Sequence, residues 1–184
     1  MNKADSPRTD QELLQGTVRR DEGDFAALYD RYNAPLYNYL LRLVRQREVA
    51  EELLQEAFLA IWQGAGGFDG RASVKTWLYR IAHHKAVDWL RRRQPQSLDE
   101  MEHMPGEGSA GEDALDGWAA GRMAAALAQL SPDQRAVLEL AFVQGFSYRE
   151  VACIVGCPVG TVKSRVSHAR RILKGTLERM GIEG

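Results

Sequence analysis

The stretch QPQSLDEMEHMPGEGSAGEDALDG, residues 94–117, divides the chain. It is rich in Pro, Gly, Ser and acidic side chains, holds few large apolar ones, and has neither a helical nor a strand period. The apolar residues needed for a core lie on its two sides, and 184 residues are enough for two small bodies. The expected layout is a first body over residues 1–93, a flexible acidic linker over 94–118 and a second body over 119–184. Charge follows the same division. Residues 1–93 hold 15 basic and 13 acidic side chains, 94–118 hold 7 acidic and no basic ones, and 119–184 hold 9 basic and 5 acidic ones. The net charge of −1 thus hides two mildly basic bodies joined by an acidic tether, which points to distinct tasks along the chain.

Both flanking parts read as helical. From Asp24 to Val44, Phe25, Leu28, Tyr32, Leu36, Tyr39, Leu40 and Leu43 recur at helical spacing, and Pro35 predicts a kink or break partway. Glu48 to Trp62 repeats the pattern through Val49, Leu53, Leu54, Ala57, Phe58 and Ile61. GAGGFDGRAS (64–73) is a loop by composition. Ser73 is placed to cap a helix running through Trp77, Leu78, Ile81, Ala82 and Trp89 to the arginines at 91–93, whose charge suits a helix C-terminus. Beyond the linker come a helix from Trp118 to Leu130 and two capping boxes. The first is Ser131 with Gln134, and Pro132 takes the first helical position; the second is Ser147 with Glu150. Gly145 and Gly156 stand where the helices after these boxes end, and Pro158 where the last helix opens. No turn-punctuated strand pair occurs, so the expected fold is all-α.

The segment SYREVACIVGCPVGTVKSRVSHARR (147–171) is the most informative. On a wheel of 100° per residue, Val162, Val166, Ala169 and Leu173 form one narrow stripe. Lys163, Ser164, Ser167, His168, Arg170, Arg171 and Lys174 fall opposite, with Arg165 at the margin. The stripe is expected to pack on the preceding helix across the Gly156 turn, leaving a basic face outward, as in a helix-turn-helix. Such a second helix fits the major groove of DNA with its early residues at base edges. Arg165 can pair two-pronged with guanine, while Lys163 and Ser164 suit phosphate. The alternative is a solvated basic face.

Two further faces carry candidate chemistry. In SVKTWLYRIAHHKAVDWLRRR (73–93), Trp77, Tyr79 and Trp89 interleave with Lys75, Arg80, His83, His84, Lys85 and Arg91 to Arg93. Aromatic faces stack on unpaired bases and cations follow phosphates, so this pattern suits opened DNA; core tryptophans under a charged coat are the alternative. In EVAEELLQEAFLAIW (48–62), Glu48, Glu51, Glu52, Gln55 and Glu56 form an acidic face that can dock on a basic partner helix or stay solvated.

Other classes are disfavoured. Cys153 with Cys157 and His168, or His83 with His84 and Asp88, lack a full ligand set, so no metal or cofactor is expected. The cysteines form no disulfide framework, and Met1 to Gln11 is polar, which predicts a cytoplasmic protein without a signal peptide. GAGGFDG fits neither the phosphate-loop nor the dinucleotide fingerprint, and no nucleophile–base pair stands out, so neither an enzyme nor a small-molecule substrate is expected. The residues alone point to a helix-turn-helix DNA binder with a second helix suited to opened DNA; a stand-alone helix-turn-helix regulator and a protein-interaction adaptor are the alternatives.

The stretches FAALYDRYNAPLYNYLLRL, AEELLQEAFLAIWQGAGGFDGRASVKTWLYRIAHHKAVDWLRRR and LAQLSPDQRAVLELAFVQGFSYREVACIVGCPVGTVKSRVSHARRILK cover about two-thirds of the chain. In content and order they resemble the extracytoplasmic-function (ECF) class of bacterial sigma factors. FDGRASVKTWLYRIA and GCPVGTVKSR are the most specific of the matching motifs. The resemblance implies that residues 1–93 correspond to sigma region 2 and 119–184 to sigma region 4. It implies that Glu51, Glu52, Gln55, Glu56 and Phe58 dock on the clamp helices of the polymerase β′ subunit. Phe68, Arg71, Ser73, Lys75, Trp77, Tyr79, Arg80, His83, His84 and Lys85 would hold the melted −10 element. Thr161, Lys163, Ser164, Arg165, Ser167, His168, Arg170 and Arg171 would read the −35 element, with region 4 on the β flap. An anti-sigma factor is the implied regulator. The chain departs from the pattern at His84, where many relatives carry Asn, and at His168, where Arg is frequent, so its promoter preference is its own.

Reach is consistent with two boxes. Twenty-five linker residues span up to roughly 80–90 Å when extended, and two turns of duplex cover about 70 Å. Two modest DNA-binding modules on such a tether gain avidity by engaging together.

Overall fold

In the computed structural model, which describes residues 8–93 and 125–179, every regular element is helical. The chain divides into two compact units, Met1–Gln94 and Pro95–Gly184. The acidic strip and most of the Trp118–Leu130 helix lie outside the described residues.

The first unit opens with α1 (Asp10–Val18), started by a capping box. The Glu12 carboxylate accepts from the Thr9 N–H at 2.8 Å and the Thr9 hydroxyl at 2.9 Å. These bonds hold the Glu12 carboxyl below its usual range. The Asp21 carboxylate then accepts from the Asp24 N–H at 2.9 Å and starts α2 (Glu22–Val44). The chain turns at Arg45, with φ 59°, into α3 (Arg47–Gly64). A 3₁₀ turn, Ala65–Gly67, and a loop lead to α4 (Val74–Arg93). Ser73 caps α4 as expected, its Oγ accepting from the Thr76 N–H at 3.0 Å.

Pro35 does not end its helix. α2 runs through it for 23 residues, because Tyr32, Leu36 and Tyr39 on either side of the proline are all buried. Tertiary packing outweighs the roughly 3 kcal/mol that an interior proline costs. Helices α1, α3 and α4 all pack on α2. Their buried side chains include Leu13, Leu28, Leu36, Leu40, Leu53, Ile61, Leu78 and Ala82, each worth about 1.5–3 kcal/mol when large and fully buried. The Tyr39 hydroxyl meets His83 Nδ1 at 2.8 Å, and its ring lies 5.4 Å from that of Tyr79. Tyr32, whose phenol burial holds above the usual range, donates to the Asp10 carboxylate.

α1 crosses α2 at Gly16. A Cβ there would stand 1.8 Å from Asp24 Oδ2 and 2.4 Å from its Cγ, and Asp24 is buried and paired with Arg8. Gly16→Ala is therefore expected to cost about 1–3 kcal/mol through overpacking, despite the better helix propensity of alanine. Gly175→Ala, in a helix with open space, is expected to be neutral or slightly stabilising. The denaturant midpoint of the unit that holds each variant, read against wild type, tests this, and an unchanged midpoint for Gly16→Ala would contradict the close crossing.

In the second unit, residues 125–128 form a helical turn. α5 (Pro132–Leu138) follows the Ser131 capping box and continues as a π turn, Glu139–Val143. The wider turn sends Leu140 inward and leaves Phe142 and Val143 on the surface, 51% and 55% exposed. Gly145 takes φ 74°. α6 (Tyr148–Val155) starts on the Ser147/Glu150 capping box and ends at Gly156, with φ 68°. The Gly156 and Cys157 N–H groups donate to the Ala152 carbonyl at 3.0 and 3.2 Å. Glycine takes this left-handed position at no steric cost and ends the helix there. α7 (Val159–Arg179) then packs on α5 and α6.

Candidate nucleic-acid interface

α7 is presented as a helix-turn-helix would present it. Val162, Val166 and Ala169 are buried against the unit, and Leu173 is half-buried. Lys163, Ser164, Ser167, His168, Arg170 and Arg171 are exposed, while Thr161 and Arg165 are half-buried at the margin. The stripe read from the sequence is the buried one. Details differ from a bare basic face, however. Ser164 Oγ donates to the Gly160 carbonyl at 3.0 Å. Arg170 stacks on Phe142 of the π turn, its Cζ 4.6 Å from the ring centroid. Arg165 pairs with Asp133 of α5. These last two contacts join residues about 30 apart in the chain, so no local pattern signals them. Cys153 and Cys157 are free thiols.

The N-terminal unit presents a second surface along α4 and the loop before it. Phe68 and Trp77 are half-buried and meet edge to face at 5.6 Å. Arg71 is exposed beside Asp69, at 3.3 Å. Arg80 and His84 are exposed, Lys75 is half-buried, and Ser73 is exposed with its hydroxyl used in the helix cap. His84 Nδ1 lies 2.7 Å from the Arg80 carbonyl oxygen. That contact makes Nδ1 the donor and leaves Nε2 as the ring nitrogen for an outside partner. Trp89 carries Arg93 over its ring at 4.7 Å.

Two residues of the expected −10 set belong elsewhere. Tyr79 is fully buried, and His83 is buried with its Nδ1 on the Tyr39 hydroxyl. They face α2, one helical turn apart beside Leu78, Ala82 and Ala86, and cannot stack on or pair with a nucleic acid in this fold. Phe58 is corrected in the same way. It lies in the buried stripe of α3, 4.5 Å from the Tyr29 ring and 6.2 Å from that of Phe25. Its neighbour Leu59, 56% exposed, is the apolar side chain that α3 offers outward. Glu51, Glu52, Gln55 and Glu56 are all exposed. Glu56 accepts from Lys85 at 3.0 Å, so the acidic face of α3 and the cationic edge of α4 adjoin.

The arrangement has close counterparts. RpoE of Cereibacter sphaeroides, an ECF RNA polymerase sigma factor, is 36% identical over 168 residues, covering 88% of this chain and 91% of the relative. The chain belongs to the ECF RNA polymerase sigma factors. In this sigma factor the sigma-70 region 2 family model matches residues 28–96 and the sigma-70 region 4 model residues 120–173. The ECF sigma factor SigX of Bacillus subtilis is 32% identical over 170 residues, 85% of each chain. Among solved structures, the sigma factor RpoE of Bartonella quintana, in complex with the anti-sigma factor NepR, is 28% identical with a TM-score of 0.65. The match covers 84% of this ECF sigma factor and 97% of that chain. CnrH, solved with the cytosolic domain of CnrY, has the same fold, with a TM-score of 0.70 at 24% identity over 92% of this chain and 97% of that one.

Proposed function

We propose that this ECF sigma factor binds core RNA polymerase and sets where transcription begins, reading one promoter box as duplex and the other as opened strands. Residues 119–184 take the −35 element through α7 and grip the β flap. Residues 1–93 dock on the β′ clamp through the acidic face of α3 and hold the melted −10 element on α4. Residues 94–118 join the two parts in sequence. Phosphodiester chemistry belongs to the polymerase, and this chain acts as a non-enzymatic cytoplasmic subunit without a cofactor. A protein inhibitor of the anti-sigma kind is its expected regulator, as the complex of the Bartonella relative supports. Among the described residues, no helix is long and apolar enough to cross a membrane.

The observation that carries this reading is the outward cationic face of α7, held on a buried Val162–Val166–Ala169 stripe directly after the Gly156 turn. The test is run-off transcription on genomic fragments with core polymerase, followed by mapping of start sites. New start sites that appear only with this chain are expected; an unchanged start-site map would overturn the reading. On the promoter so found, His84→Ala is expected to change the preferred base at one −10 position by on the order of 5-fold or more, as for loss of a good base contact. His84→Gln, which retains an outward polar group, is expected to change it less. Identical −10 preferences in all three proteins would remove His84 from the pocket.

A further inference from the structure

Arg165 is the base-reading candidate best suited to guanine, and the fold treats it unlike its neighbours. Lys163, Ser167 and His168 project from exposed positions, whereas the Arg165 side chain is only 30% exposed. Its Nη2 pairs with Oδ2 of Asp133. Its Nη1 lies 3.9 Å from Cys157 Sγ in the turn between α6 and α7. Asp133 stands in the first turn of α5, and α5 packs on α7. Two elements therefore hold one guanidinium, and its plane is set before any ligand arrives.

This arrangement has opposing consequences for DNA. A free arginine loses rotamer freedom when it docks on a base, and one already clamped loses less. A planar fork with five donors can give one edge to a carboxylate and offer another to the two acceptors of guanine. Yet Asp133, with a 52% exposed side chain beside that face, brings negative charge towards phosphate and weakens sequence-independent attraction. The pair thus raises discrimination at one base and lowers attraction to all DNA.

We propose that Asp133 is a positioning residue for Arg165, sharpening base choice at a single −35 position while suppressing non-specific binding. This rests on the reading of α7 as the −35 helix and names a control on the same site. The experiment uses holoenzyme formed from the full chain and core polymerase, on duplexes carrying the promoter found by start-site mapping with the −35 box randomised. Bound sequences are counted at two salt concentrations for wild type, Arg165→Ala, Asp133→Ala, Asp133→Asn, Asp133→Glu and the Arg165/Asp133 double alanine variant. Asp133→Ala is expected to lower the preference at one position by on the order of 5- to 10-fold, a large part of what a two-pronged base contact supplies. It is also expected to strengthen binding to unrelated DNA.

Asp133→Glu should recover much of the preference, and the double variant should lose no more at that position than Arg165→Ala alone. Asp133→Asn keeps the shape of the first turn and is the arm to read if the alanine variant folds poorly. A uniform loss across all sequences, with the base preference intact, would make Asp133 merely structural and overturn the proposal. Sharper preference without Asp133 would make the pair a mask rather than a guide, and would overturn it too. If Arg165→Ala itself leaves every −35 preference intact, the −35 assignment of Arg165 fails, and the role of Asp133 fails with it.

Discussion

Tyr39→Ala should destabilise the N-terminal unit by about 3–5 kcal/mol, the range for removing a large buried aromatic side chain. Tyr39 has no exposed surface and sits where α2 meets α4. Its ring packs on Tyr79, and its hydroxyl bonds to His83, two of the α4 side chains that face inward. Tyr39→Phe keeps the ring but removes the hydroxyl that meets buried His83 Nδ1 at 2.8 Å, so it should cost about 1–3 kcal/mol. The readout is tryptophan fluorescence during denaturant unfolding in a Trp118→Phe background. The remaining tryptophans, Trp62, Trp77 and Trp89, then all lie in the N-terminal unit. A chain of two units need not unfold in one step, so reporting from one unit is what makes a midpoint meaningful. Since Tyr39 contacts both Tyr79 and His83 of α4, the alanine variant should, under the proposed roles of α4 and α3, lose −10 selectivity before it loses polymerase binding. A midpoint for Tyr39→Ala equal to that of wild type would show that the α2–α4 seam does not depend on this ring.

The same seam explains what could be read from the residues and what could not. α2, α3, α5, α6 and α7 announce themselves because their apolar residues recur at helical spacing or their caps are explicit, as at Ser131 and Ser147. The buried stripe of α7 is the one its wheel predicts, since its polar face is unambiguous. α4 is different. Aromatic, aliphatic and cationic side chains surround it, so periodicity alone does not say which face is inside, and Tyr79 and His83 read as surface residues. Its packing against α1, α2 and α3, with Tyr39 of α2 against Tyr79 and His83, decides the matter. Phe58 shows the related difficulty that an apolar residue of a docking helix can serve the core instead.

α1 is missed for another reason. At nine residues it is too short to hold by itself, and its stability comes from packing on α2 and α4. The signal was nevertheless present in Thr9 with Glu12, a capping box followed by Leu13 and Leu14. Pro35 does not break α2, since a local penalty is outweighed by buried contacts on both of its flanks. The π turn and the pairs it helps create, such as Phe142 with Arg170, are tertiary facts without a local signature.

Removing three charges from α7 should leave the fold nearly intact and yet disable promoter use. In the Lys163→Ala, Arg170→Ala, Arg171→Ala triple variant every changed side chain is exposed, and substitutions of that kind usually shift stability by about 0.5 kcal/mol or less each. Arg170 adds the loss of its contact with Phe142, worth about 0.5–1 kcal/mol at an exposed site. If all three cations neutralise phosphates, the slope of log affinity against log salt for holoenzyme on promoter duplex should fall by about 2.7, at roughly 0.9 per phosphate. Transcription should fall further than either box alone would predict, because tethered binding loses its avidity when one of two contacts fails, a factor of about 10²–10⁴. Under the proposed docking through α3, core polymerase binding should persist, since none of the three changed residues lies in that unit. Lys174→Ala separates contact from mere net charge: Lys174 lies further along α7 and 3.7 Å from Glu178, so it should shift the slope much less than any one of the three. An unchanged salt slope in the triple variant, with the polymerase complex intact, would mean that the cationic face of α7 does not meet the phosphate backbone and that the −35 box is read elsewhere.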